Sequence, residues 1–201
     1  MITAQKYFFM ETKNYTIVFR IIHWAIAICM ILMCITIFLR LNWMNKNHMA
    51  DIIQNYLSSI DQSLTQDQLI ALAKQIRKPM WDWHIYIGYV LVGLFSIRWL
   101  IPFLGEMNFS NPLKKALSLK EKFQYWVYLI FYGGIAVSLI TGLFIEFGSE
   151  SLKKQMEEIH KFSLYYLVVF ISLHIGGILL AELTNQQGII SKIISGKSKT
   201  P

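Results

Sequence analysis

EIHKFSLYYLVVFISLHIGGILLAE, residues 158–182, decides the fold. It carries no charge between Lys161 and Glu182, and two histidines, His160 and His174, stand in it fourteen residues apart. In an α-helix that spacing is about four turns, roughly 21 Å of rise, and it returns to within about 40° of the starting direction. Both imidazoles therefore leave one stripe of the helix, one near each end. A run this long and apolar suits a bilayer, which takes about 20 residues to cross. An imidazole inside it is costly unless something binds it. Two on one stripe, at two depths, point to two stacked ligands whose other partners come from the rest of the chain.

The composition agrees with a membrane protein. The 201 residues suffice for one domain, with 55% hydrophobic and only 15% charged. Mean hydropathy is +0.43. Cys29 and Cys34 both fall in the first apolar run and form neither a disulfide framework nor a zinc motif. No C-x-x-C-H occurs, which excludes covalent haem attachment of that kind. Residues 1–16 are polar and mixed, and the apolar run after Thr16 is longer than the core of a signal peptide. It reads as a retained first span. The expected architecture is an all-α, integral membrane four-helix bundle forming one domain over residues 1–201. Its spans fall at about 17–41, 83–104, 124–147 and 162–183, with a long extracytoplasmic loop at 42–82.

Four spans put both termini on one side, here side A. Side A takes Lys6, Lys13, Arg20, Arg98, Lys114, Lys115, Lys120, Lys122, Lys192, Lys197 and Lys199. Against these eleven stand four acidic residues, Glu11, Glu106, Glu121 and Glu182, so the whole excess of +7 sits there. The positive-inside rule makes side A cytoplasmic. It also turns the net charge away from nucleic acid. Trp24, Trp99 and Trp126 lie near side-A ends, and Trp43, Trp81 and Trp83 near side-B ends, as an aromatic belt requires. In the 42–82 connection, Thr65-x-x-Gln68 has the form of a capping box. Leu69, Leu72, Ala73 and Ile76 follow at helical spacing, and Pro79 is expected to stop the run. A short amphipathic surface helix results, either packed on the spans or serving as a docking platform for an extracytoplasmic partner.

Depth sorts the histidines. His48 falls in the loop and reads as solvated. His23 enters the first span from side A, His84 and His160 start their spans from side B, and His174 lies near side A. The level pairs are His23 with His174 and His84 with His160. Two imidazoles from facing helices at one height suit the axial ligation of haem iron. Zinc would want three or four clustered ligands, which this spacing does not supply. Arg98 lies fourteen residues after His84, near side A, and Arg20 one turn outside His23. Both are placed to meet haem propionates, or else lipid phosphates as snorkelling side chains. Gly88 lies one turn from His84, and Gly133, Gly134, Gly142, Gly176 and Gly177 punctuate the later spans. Each admits a close neighbour, whether a porphyrin face or another helix.

At these residues the sequence resembles the cytochrome b subunits of membrane-bound nickel–iron hydrogenases. More broadly it resembles the bacterial di-haem cytochrome b family that includes the gamma subunits of formate dehydrogenases. Arg20-Ile21-Ile22-His23-Trp24 is similar to that family's first-span motif. His84 with Gly88, Arg98, Trp99, Phe103 and Gly105 is similar to its second, and Thr141-Gly142 to its third. His160 and His174 with Glu182, Ile190-Ser191 and Gly196 resemble the fourth span and tail of the hydrogenase branch. The first span ends in CITIFLR, residues 34–40, where the family has Thr-Gly.

The resemblance implies two b haems with His23, His84, His160 and His174 as axial ligands. It implies an electron-transfer subunit of a respiratory oxidoreductase of hydrogenase:quinone type, working between an extracytoplasmic iron–sulfur partner and the quinone pool. On this reading electrons enter on side B and reach a quinone near side A. Two alternatives stand beside it. One is a free-standing haem b quinone reductase fed by a small reductant or a c-type cytochrome. The other is a cofactor-free membrane anchor whose histidines only join helices.

Overall fold

The computed structural model describes residues 16–104, 118–184 and 187–196. Among these there are seven α-helices and one short 3-10 turn, with no strand. Lys6, Glu11, Lys13, Gly105, Glu106, Lys114, Lys115, Lys197 and Lys199, which entered the charge and motif readings, lie outside the described residues.

Helix α1, Ile17–Leu41, coincides with the first expected span and starts where the Thr16 hydroxyl accepts the Phe19 N–H at 3.3 Å. Its register leaves Ile21, Ile28, Ile31, Ile35 and Phe38 exposed along one side. In water so long an apolar face would invite association, whereas against lipid it needs no cover. Four stretches are long and apolar enough to span a bilayer: Ile17–Leu41, Gln66–Phe103, Glu121–Phe147 and Glu150–Leu183. Five of the six tryptophans, Trp24, Trp43, Trp83, Trp99 and Trp126, are exposed near the expected ends of the spans, as a belt requires. Trp81 instead turns inward.

Two expectations are corrected on side B. The 42–82 segment is a helical hairpin rather than a loop, made of α2, Lys46–Ser59, and the first part of α3, Gln66–Leu100. His48 is exposed on α2. The capping box at Thr65 forms, the Gln68 N–H donating to the Thr65 hydroxyl at 3.3 Å and the Gln68 side chain accepting the Thr65 N–H at 2.9 Å. Pro79, however, does not stop the helix, which runs on into the second span. An interior proline costs about 3 kcal/mol. Here one buried stripe passes through it unbroken: Leu69 and Ala73 before, His84, Ile87, Leu91 and Phe95 after. Ala73 and His84 are eleven residues apart, which is close to three whole turns. The same face therefore packs on α2 above the proline and on α1 below it, and that burial outweighs one lost hydrogen bond. At 35 residues α3 is about 52 Å long. That exceeds the ~30 Å apolar core of a bilayer, so the α2–α3 hairpin stands out on side B.

Helix α4, Leu119–Phe147, carries the third span and opens with a second capping box, between Ser118 and Glu121. The fourth span falls where expected, as α6, Ser163–Leu183, but a further helix, α5, Glu150–Lys161, leads into it through Phe162. His160 therefore lies in the last turn of α5 and not at the start of the helix that carries His174. Phe162 stays in the right-handed region at φ −64° and ψ −16°, so the break is shallow and the two helices form one kinked span.

The core is one cluster: Met30 from α1, Ile87, Leu91 and Phe95 from α3, and Phe131 and Ile135 from α4. Leu167 and Phe170 of α6 pack against it. It lies midway along the bundle, so it separates the level of His23 and His174 from that of His84 and His160. Helix α7, Ile189–Ser195, closes the described chain at the side-A end. The Glu182 carboxylate accepts the N–H groups of Gly188 (2.8 Å) and Ile190 (3.1 Å) at its start.

Candidate functional site

The side-B level is built from four helices. His84 of α3 is buried, and its ring centroid lies 6.5 Å from that of His160. Its Nδ1 is 2.8 Å from the hydroxyl of Thr36 on α1. That hydroxyl donates its single proton to the Met33 carbonyl at 2.7 Å, so towards His84 it can only accept. His84 Nδ1 must then carry the proton, and Nε2 keeps a free lone pair. His160 Nδ1 lies 3.0 Å from the Ser138 carbonyl of α4 and 3.1 Å from the Thr141 hydroxyl. A carbonyl only accepts, so His160 is in the same tautomer. Both rings thus hold their protons towards the helices behind them and leave the Nε2 lone pair free for a ligand.

Packing fixes these rings further. Trp81 stacks on His84 at 4.5 Å between centroids and 6° between planes, and the Arg40 guanidinium lies 3.9 Å over Trp81. Behind His160 stands Gly142, where a Cβ would come 3.3 Å from His160 Cε1 and 3.7 Å from Nδ1. Only glycine leaves the imidazole its ordinary clearance. Below it, the Ser138 hydroxyl bonds to those of Ser163 and Tyr166, tying α4 to α6.

The side-A level pairs His23 of α1 with His174 of α6, centroids 6.2 Å apart. Phe170 stacks on His174 at 5.4 Å, and His23 lies between Phe19 and Trp24 at 6.0 and 5.7 Å. The Tyr128 hydroxyl is 3.5 Å from His174 Nδ1, at the outer limit of a hydrogen bond. The four expected histidines thus meet in the two expected pairs. On α1, His23 and Thr36 are thirteen residues apart, which sets the two levels about 20 Å from one another along the helix.

This spacing within each pair has a chemical meaning. Metal–imidazole bonds are about 2 Å long, and a ring centre lies about 1 Å behind its nitrogen. Two imidazoles on opposite sides of one metal therefore have centroids about 6 Å apart. Among the described residues no group of three or more histidine, cysteine, aspartate or glutamate side chains could close on a metal. A metal that brings its own four equatorial nitrogens needs only the two imidazoles, and both pairs fit an iron porphyrin on that count.

The other expected residues fare differently. Arg98 lies over Phe19 at 5.0 Å, close to the side-A pair. Arg20 is drawn to the tail, donating to the Ile194 carbonyl at 2.7 Å, while Trp24 Nε1 donates to the Ile193 carbonyl at 3.2 Å. The residues on either side of His23 thereby cap the end of α7. Gly196 there has φ +80°, and a Cβ on it would meet Arg20 Cζ at 3.0 Å. Arg20 Nε is buried without a hydrogen-bond partner among the described residues. Around Gly88 nothing lies within 4 Å of where a Cβ would stand. Sequence reasoning missed Thr36, Ser138 and the inward Trp81. The only available signal was a hydroxyl inside an apolar span at the depth of a histidine.

No curated protein and no solved structure is significantly similar to the chain. A family model described as prokaryotic cytochrome b561 matches residues 14–196, nearly the whole chain, including the four paired histidines. The chain therefore belongs to the prokaryotic cytochrome b561 family, membrane proteins that bind haem b and carry electrons.

Proposed function

We propose that this member binds two b haems, one between His84 and His160 and one between His23 and His174. In this role it transfers electrons across the bacterial inner membrane, from an extracytoplasmic, hydrogenase-like iron–sulfur partner to the quinone pool. The observation that carries the reading is the double pairing of imidazoles at 6.5 and 6.2 Å, one pair at each end of a shared apolar core. Bound haem supplies the one-electron redox step. The protein's residues orient and insulate it. Thr36 and the Ser138 carbonyl hold the side-B imidazoles with Nε2 forward, and Gly142 admits the ring of His160. Gly88 leaves room beside His84. Arg98, and Arg20 through its unpartnered Nε, offer donors to propionates near side A. The termini and side A face the cytoplasm, and the α2–α3 hairpin is the surface that stands out towards the partner.

The test uses the full chain in inverted and right-side-out membrane vesicles. A reductant confined to the extracytoplasmic face, with the iron–sulfur partner present, is expected to reduce the b-haem bands, and a quinone analogue to reoxidise them. Bands reduced equally well without any iron–sulfur partner would favour the free-standing reductase instead.

A further inference from the structure

We propose that Thr36 and the Ser138 carbonyl make the iron site between His84 and His160 the lower-potential one of the two, so that electrons run downhill from side B to side A. The inference rests on the reading that each histidine pair holds a b haem.

It begins with where the protons of the imidazoles go. The Thr36 hydroxyl gives its proton to Met33 and turns a lone pair to His84 Nδ1 at 2.8 Å. The Ser138 carbonyl, 3.0 Å from His160 Nδ1, has only lone pairs to offer. Each side-B imidazole therefore donates its Nδ1–H to a good acceptor, which pushes electron density towards Nε2 and makes it a stronger ligand. A stronger donor ligand stabilises the more oxidised iron and lowers the potential. The side-A pair lacks this arrangement. Among the described residues His174 has only the Tyr128 hydroxyl at 3.5 Å, and His23 makes ring contacts but no hydrogen bond. Cations stand at both levels: Arg40 reaches the side-B pair through Trp81, with Lys74, Arg77 and Lys78 around the same pocket, and Arg98 lies by Phe19 at the side-A pair. The inference rests on the imidazole hydrogen bonds, which act on the ligands directly. Thr36 acts through His84 and is a positioning residue.

The experiment is an equilibrium redox titration of the purified full chain, followed by optical and electron-paramagnetic spectra. The unmodified protein is expected to titrate in two one-electron steps, and the lower step is expected to be missing from the His84→Ala protein. Thr36→Val is expected to raise the lower step by about a tenfold change in its reduction equilibrium, about 59 mV for one electron. It should leave the upper step in place, and Thr36→Ser should restore the original value. Loss of the upper step in the His84→Ala protein overturns the inference, as does a Thr36→Val protein in which neither step moves. The order of the steps is read without Thr36→Val, so it stands whether or not that variant folds. An unmodified protein that holds one haem and titrates in one step instead overturns the di-haem reading beneath it.

Discussion

The His84→Ala protein is expected to purify with one haem per chain in place of two. His84 is the most enclosed of the four histidines, held by Thr36 at 2.8 Å and by the face of Trp81 at 4.5 Å. On the proposed reading alanine removes one of the two imidazoles that would hold the side-B haem, and no other histidine of the described residues lies at that level to replace it. The His23–His174 pair lies about 20 Å away along α1, behind Met30, Leu91 and Phe131. At that separation effects are close to additive. The remaining haem should keep its spectrum. The measurement is haem content against protein mass, with reduced-minus-oxidised spectra of both proteins. Loss of both haems, or of neither, would contradict the assignment.

The second large effect is expected at Gly142, far from any ligating atom in the sequence. A Cβ there already stands 3.3 Å from His160 Cε1. The two γ carbons of valine would occupy the space of the ring itself. The imidazole would swing away from the Ser138 carbonyl and the Thr141 hydroxyl, and overpacking of this kind costs about 1–3 kcal/mol before any ligand is counted. Gly142→Val is therefore expected to lose the same haem as His84→Ala, and Gly142→Ala to lose only part of it. Side-A haem should survive in both. Spectra of the two variants, read beside that of the His84→Ala protein, decide the point.

Much of this was legible in the amino-acid order. Hydropathy and length marked α1 to the residue, because its charged residues, Arg20 and Arg40, stand within a turn of its ends and leave the run between them uncharged. The pairing of histidines by depth followed from helical rise alone. The capping box at Thr65 was readable because its two partners are three residues apart. What stayed hidden was of another kind. Pro79 breaks isolated helices, and only the packing of Leu69 and Ala73 on α2 and of Ile87 and Leu91 on the core keeps α3 continuous. The interruption at Phe162 leaves no mark, since the residues on both sides favour helix. Thr36 and Ser138 act across helices, and a single sequence does not say which span faces which; Gly142 was legible as a place of close approach, but not that His160 is what approaches it. Arg20 was read by its nearness to His23, but its partner is a carbonyl of residue 194, at the opposite end of the chain.

Haem content of the unmodified chain, with the spin state of the iron, tests the central claim most directly. The account predicts two haems per chain, both low-spin with two imidazoles on each iron. Protein produced with ample haem that purifies with one haem, with none, or with a high-spin five-coordinate iron would contradict it.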